Sequence, residues 1–162
     1  MSEPLVTPPP AQRETGIAAV SAPDVRWLRC DLKTISLLAN CLLRQQAVDA
    51  GCVETLLFRD GFLTEGAASN IFVVRDGVLL APPKDHLILP GITYDVVLEL
   101  AAEARGADEL WRTSSTKEVL PIVRLDGQPV GRDENAGRPG PVGRRMYDWY
   151  QAFKQTVMRV GE

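Results

Sequence analysis

Three Asp-Gly dipeptides, each set between short apolar runs, constrain this chain more than any other feature of its sequence. Val53 to Phe58 leads into Asp60-Gly61, and Phe62 to Thr64 follows. Asn70 to Arg75 and Val78 to Ala81 flank Asp76-Gly77, while Val119 to Leu125 and Gln128 to Val130 flank Asp126-Gly127. A two-residue hairpin turn needs positive φ at its centre, which Asp tolerates and Gly adopts freely. Each dipeptide therefore predicts an antiparallel hairpin.

Helices fill the gaps between hairpins. Leu37, Leu38, Cys41, Leu42, Gln45 and Val48 recur at helical spacing behind Ser36, a candidate N-cap, and Gly51 supplies the stop. Thr93 to Ala104 carries Val96, Val97, Leu100 and Ala101 on one face and ends at Gly106. Pro141 to Val160 places Val142, Met146, Trp149, Phe153 and Val157 on one stripe, with Arg144, Arg145 and Lys154 outside it. Val25, Trp27 and Arg29 alternate with Arg26, Leu28 and Cys30, which predicts a strand. Before it, residues 1–22 hold Pro4, Pro8, Pro9 and Pro10 and little to bury, which predicts a disordered leader. The fold class is α+β: a mostly antiparallel, hairpin-rich sheet or pseudo-barrel packed with three helices, ordered from residue 23 to 162.

Composition excludes several classes of function. A chain of 162 residues that is 45% hydrophobic can bury one self-supporting core. A net charge of −3 without a long basic run argues against nucleic-acid binding. No apolar stretch approaches the ~18 residues that span a bilayer, and Met1 to Pro10 lacks the regions of a secretory signal. Cys30, Cys41 and Cys52 form no CxxC pair, and His86 is the single histidine, so no metal site is expected. These features fit a cytoplasmic protein.

Four places could carry chemistry. Lys33 stands between the predicted strand and helix, where burial would depress its pKa and make its amine a nucleophile; a solvated surface lysine is the plainer alternative. Glu65 opens Thr64-Glu65-Gly66-Ala67-Ala68-Ser69-Asn70, whose small residues either make an ordinary loop or let a flat ligand approach the backbone. Gly91-Ile92-Thr93 opens a helix, and Thr113-Ser114-Ser115-Thr116 contains Ser115 three residues before Glu118, a capping-box spacing. Either place could hold an anion or merely cap a helix. An amine, a carboxylate and two hydroxyl-bearing turns together are what pyridoxal phosphate requires.

The strings Arg29-Cys30-Asp31-Leu32-Lys33, Thr64 to Asn70, Leu89-Pro90-Gly91-Ile92-Thr93 and Thr113-Ser114-Ser115-Thr116-Lys117-Glu118 stand in an order that resembles class IV aminotransferases. The wording is most similar to bacterial D-amino-acid aminotransferases, with branched-chain aminotransferases and aminodeoxychorismate lyase as relatives. The resemblance runs from about Val25 to the C-terminus. It implies the large-domain fold of that family, pyridoxal 5'-phosphate as cofactor, and transamination between an amino acid, D-amino acids favoured, and a 2-oxo acid. It implies that Lys33 carries the cofactor as a Schiff base, that Glu65 pairs with the ring nitrogen and that Leu89 packs on the ring face. Ile92, Thr93 and Ser115 take the place of phosphate contacts, and a homodimer is expected.

Three departures accompany the resemblance. Family members carry an N-terminal domain where this sequence has a Pro-rich leader, the connection after Gly106 is short, and Tyr94 replaces an arginine common after the Gly-Ile-Thr motif. A catalytically weak or inactive shortened chain, and a lyase acting on aminodeoxychorismate, are the alternatives to transamination.

Overall fold

Asp60 and Gly61 adopt φ of 51° and 81°, and Asp126 and Gly127 adopt 49° and 76°, so both dipeptides turn hairpins as their chemistry dictates. The computed structural model describes residues 8–75, 78–101, 109–131 and 135–156. Its helices are α1 (Pro10–Thr15), α2 (Leu38–Asp49), α3 (Ile92–Ala101) and α4 (Pro141–Thr156). Its strands are β1 (Ile17–Pro23), β2 (Glu54–Arg59), β3 (Phe62–Gly66), β4 (Asn70–Arg75), β5 (Val78–Leu80), β6 (Leu110–Ser114), β7 (Glu118–Leu125) and β8 (Gln128–Pro129). They form one curled sheet in the order β3-β2-β1-β7-β6-β4-β5, with β8 paired to β7. The class is α+β, as the hairpins require.

The strand predicted from Val25 lies elsewhere. β1 occupies residues 17–23 and sits mid-sheet, parallel to both β2 and β7. The expected disordered leader is therefore replaced from residue 10 onward by α1 and a central strand; residues 1–7 lie outside the described residues. The prolines accommodate this: Pro10 starts α1, where a missing N–H costs nothing, and Pro23 ends the strand. Ile17, Ala19 and Ala22 are buried, the small side chains a strand flanked on both sides can accept.

Residues 24–27 do alternate, with reversed polarity. Asp24 and Arg26 are buried while Val25 and Trp27 face outward. The period is that of a strand, but the buried side is ionic and the backbone pairs in no ladder. β6 is a further strand the turn signals did not predict; it lies between β4 and β7. The Asp76-Gly77 turn, the Gly106 stop and the last helical residues through Val160 lie outside the described residues.

Two layers bury the sheet. On one face Phe72, Trp111, Val119, Tyr94, Val97 and Met146 join α3 and α4 to β4, β6 and β7. The other carries Ile17, Ala19, Leu56, Ile71, Leu120 and Ile122. α2 packs its Leu43 against Ala22, Leu57 and Ala67, and Thr55 Oγ1 donates to the Leu43 carbonyl at 2.7 Å. Ser36 does not cap α2, whose N-cap residue is Leu37 with no side-chain bond. Tyr94 belongs to the core: its hydroxyl donates to the Pro82 carbonyl at 2.6 Å and its ring meets Phe72 at 5.0 Å.

Candidate active site

The segment from Asp24 to Lys33 has no ladder of its own, so side chains hold it. The Asp24 amide donates to the Phe58 carbonyl at 2.7 Å, and Arg59 Nη2 donates to the carbonyls of Asp24 and Arg26 at 3.1 and 2.8 Å. Arg26 turns inward. Its Nε and Nη2 bind the two oxygens of Asp24 at 3.0 and 2.9 Å, and its Nη1 donates to Glu65 Oε2. Thr64 Oγ1 gives Asp24 a further bond at 2.8 Å. Burial alone would raise Asp24, but Arg26 and Thr64 outweigh it and bring the carboxyl down to about 2. The Arg26 guanidinium is raised by its two carboxylate partners against the opposing effect of burial.

Further along, the Cys30 amide donates to the His86 carbonyl at 2.8 Å and its thiol to the Trp27 carbonyl at 3.1 Å. Arg29 grips Asp31 through two bonds of 3.0 and 2.9 Å. These ties deliver Lys33 to the rim of a cavity of about 450 Å³. Lys33 is an exposed residue there, so the dry setting expected from the sequence is absent among the described residues.

Glu65 is buried beneath the same cavity. Its Oε1 accepts the Leu89 amide at 3.0 Å and Asn70 Nδ2 at 3.2 Å. Burial raises its carboxyl above the ordinary value, with Arg26 and the Leu89 amide opposing. Asn70 also donates to the Leu89 carbonyl at 2.9 Å and accepts the Gly91 amide at 3.2 Å, so one side chain fixes residues 89–91 against the cavity.

The small-residue wall rests on a second buried acid. Glu54 Oε1 accepts the amides of Thr55 and Ala67 at 3.0 and 3.1 Å, and Oε2 accepts Ser69 Oγ at 2.5 Å. Asn40 Nδ2 donates to the Ala67 carbonyl at 2.9 Å. A Cβ on Gly66 would lie 2.5 Å from Ser69 Oγ and 3.0 Å from Glu54 Cδ, so only glycine permits this close turn.

Of the residues singled out from sequence, Lys33, Glu65, Leu89 and Ser115 line this one cavity, together with Gly66 to Ser69. Ile92 and Thr93 do not: Ile92 is 74% exposed, Thr93 is buried, and their neighbour Gly91 is the lining residue. The capping box at Ser115 and Glu118 is absent, because the turn joins β6 to β7 instead of opening a helix. Ser114 Oγ accepts the Lys117 amide at 3.1 Å, while Glu118 binds Arg13, Gln151 and Lys154. The adjacent Thr113 Oγ1 is buried without a partner among the described residues and borders the cavity. Sequence reasoning missed Arg26, Glu54 and Asn70, whose roles depend on partners 15 to 39 residues away. The one available signal was polar side chains in register with the apolar strand pattern.

The curled sheet that bears this cavity is shared with solved aminotransferases. The family model for class IV aminotransferases matches residues 2–125, and the chain belongs to that family. It is 38% identical over 152 residues to the D-alanine aminotransferase of Bacillus licheniformis, covering 85% of this chain and 52% of that protein. The D-alanine aminotransferase of Staphylococcus aureus (strain MSSA476) is 35% identical over 157 residues, 88% of this chain and 54% of the relative. The chain thus spans about half the length of the curated relatives it matches. Among solved structures, the branched-chain aminotransferase of the thermophilic archaeon Thermoproteus uzoniensis, solved with norvaline, superposes with a TM-score of 0.72 at 26% identity, over 87% of this chain and 52% of that one. The Escherichia coli branched-chain amino acid aminotransferase gives 0.73 at 29% identity, over 93% and 56%. Among the described residues no helix is long and apolar enough to cross a membrane, and no cluster of potential metal ligands occurs.

Proposed function

We propose that this chain binds pyridoxal 5'-phosphate on Lys33 and takes part in transamination between an amino acid, D-amino acids favoured, and a 2-oxo acid. The observation that carries the proposal is the convergence of Lys33, Glu65, Leu89 and Ser115 on one cavity. The donor set fits the group. Glu65, already ordered by Arg26 and the Leu89 amide, offers a carboxylate to a protonated ring nitrogen. The flat wall from Gly66 to Ser69 admits a planar ring, with Leu89 for its face, and the unpartnered Thr113 hydroxyl beside Ser115 offers donors to a phosphate. Ile92 and Thr93 enter as contacts through the first turn of α3, which Gly91 brings to the cavity edge.

The cofactor supplies an electron sink for charge that develops at the substrate's α-carbon. In this scheme the Lys33 amine holds the cofactor and then moves the proton at that carbon. Glu65 keeps a proton at the ring nitrogen, and its own orientation is set by Arg26 and Asn70. A homodimer in the cytoplasm is the proposed setting.

A second reading has its own support. Lys33 is exposed at the rim, so the chain by itself would bind the cofactor but turn over slowly or not at all. An elimination on aminodeoxychorismate is the third reading. Absorbance after incubation with the cofactor tests the binding step: a band from the lysine-bound group should appear in the wild type and vanish in Lys33→Ala. Identical spectra would overturn the assignment. Steady formation of pyruvate and glutamate from D-alanine and 2-oxoglutarate excludes the non-turnover reading, and sustained pyruvate release from aminodeoxychorismate without a 2-oxo acid would favour the lyase.

A further inference from the structure

Two turns share the dipeptide Asp-Gly and differ in what holds the aspartate. Asp60 and Asp126 both adopt left-handed φ ahead of their glycine, at 51° and 49°, and both are exposed. The Asp126 carboxylate is occupied at both oxygens. Its Oδ1 accepts the Ser21 amide and its Oδ2 accepts the Ser21 hydroxyl, each at 2.6 Å. The Asp126 amide donates to the Ala19 carbonyl at 3.0 Å, and Arg124 Nη1 donates to the Gly127 carbonyl at 3.0 Å. That turn is therefore tied down to β1.

Asp60 has none of these ties. Its side chain makes no hydrogen bond or ion pair with a described residue, and Gly61 and Phe62 beside it are exposed. A Cβ on Gly61 would meet nothing within 4 Å, so the space around this glycine is open. β3, which follows the turn, is an edge strand with no further strand to brace it. A carboxyl that rotates freely can be attacked by the peptide nitrogen of the next residue. Glycine permits that approach best, because it has no side chain to block it.

We propose that Asp60 is a site of spontaneous backbone modification, forming isoaspartate through a cyclic imide with Gly61, while Ser21 protects the Asp126 turn. In the first step the Gly61 nitrogen bonds to Asp60 Cγ. A carboxyl oxygen leaves as water, taking the proton of that nitrogen with it. In the second step one water adds to either imide carbonyl. Opening at Cγ restores aspartate, whereas opening at the main-chain carbonyl routes the chain through the side chain. No oxidant, reductant or enzyme is required. The product carries one extra carbon in the main chain between Arg59 and Phe62, which face each other in register. Arg59 also holds the carbonyls of Asp24 and Arg26, so the altered turn adjoins a support of the cavity segment. None of this rests on the function proposed above.

The test is prolonged incubation of the folded chain at neutral pH, followed by digestion. Peptide separation and methyl labelling with an isoaspartyl methyltransferase then quantify isoaspartate at each turn. It should build up at residue 60 at least about tenfold faster than at 126, because two charge-assisted bonds must break before Asp126 reacts. Ser21→Ala removes the hydroxyl bond and should speed conversion at 126 by at least about threefold, leaving residue 60 unchanged. Asp60→Glu, whose imide ring would be one atom larger, should stop the accumulation at 60. In urea, where neither turn is held, the two rates should converge to within about threefold. A contrast that persists in urea would assign it to the flanking residues and overturn the proposal. So would equal rates in the folded chain, or a Ser21→Ala chain whose Asp126 stays as slow as in wild type.

Discussion

Arg26 donates Nη1 to Glu65 from inside a two-bond pair that it has already closed with Asp24. One buried guanidinium thus bridges two buried carboxylates, with Arg59 Nη2 a second cation 3.3 Å from Asp24, and Glu65 is held in place by a residue that itself lines the cavity. Removing Arg26 leaves Glu65 with no ion pair among the described residues and Asp24 with Arg59 alone. Arg26→Met should lower unfolding stability by roughly 3–5 kcal/mol at neutral pH, the cost typical of breaking a buried pair by deleting one partner. The triple variant Asp24→Asn, Arg26→Met, Glu65→Gln should regain more than half of that loss, because neither buried carboxylate is then left charged. Urea unfolding measures both, and a loss below about 1 kcal/mol in the single variant would refute the charge account.

Acid should find the same cluster. Asp24 titrates near 3.8 when unfolded and at about 2 when folded, so between these values the unfolded chain binds more protons. Its contribution is fully present above pH 4 and is lost as pH falls toward 2, amounting to about 2 kcal/mol. Glu65 works in the opposite sense: burial raises its folded pKa, so ionising it above 4.5 costs stability. The Asp24→Asn variant should therefore show a flatter stability profile than wild type between pH 4 and 2. Parallel profiles for the two proteins would contradict the assignment to Asp24.

How much of this was legible in the sequence depended on how local the cause was. The hairpins at Asp60-Gly61 and Asp126-Gly127 were readable because φ preference is a property of the dipeptide itself. β1 was not, because Ala18, Ala19 and Ala22 with nearby prolines look like a linker; parallel partners more than 30 residues away at Glu54 and 100 away at Ile122 make them a strand. The same distance separates Lys33 and Glu65 as letters from the cavity they share. Their residue types suggested chemistry, but the network that orients Glu65 runs through Arg26, which lies in no motif, and Asn70, whose motif does not show that it ties Glu65 to residues 89–91.

Glu109 predicts a stability effect at the far side of the core. Its Oε1 accepts the Val142 amide at 2.7 Å, and its Oε2 accepts the Gly143 amide at 2.6 Å and Trp111 Nε1 at 2.9 Å. A carboxylate from the strand edge thus satisfies two first-turn donors of α4 and favours the positive end of its dipole. Glu109→Gln keeps the size but presents an amide N–H to groups that can only donate, and should cost about 2 kcal/mol. Gly143→Ala should act on the same joint, since a Cβ would fall 2.8 Å from Trp111 Nε1. Both variants should shift the tryptophan emission on unfolding to lower urea. A change under about 0.5 kcal/mol in both would show that α4 docks without this anchor.

Exposed apolar side chains between Trp27 and Leu42 predict association. Trp27, Leu28, Leu32, Ile35, Leu38 and Leu42 are all exposed, Ile35 at 98% and Leu38 at 73%. α2 explains part of this: Leu43 and Ala47 face the sheet, which leaves Leu38 and Leu42, four residues apart, on the outer side with nothing described over them. An apolar patch of this extent lowers its free energy when it meets another surface. The purified chain should therefore show a concentration-dependent sedimentation coefficient. The double substitution Ile35→Glu and Leu38→Glu should shift it toward the monomer without changing the far-ultraviolet circular dichroism, since neither side chain supports the core. Sedimentation of the wild type as a monomer at the highest concentrations would mean that these side chains stay wet despite their composition, and the homodimer proposed for this chain would lose its physical basis.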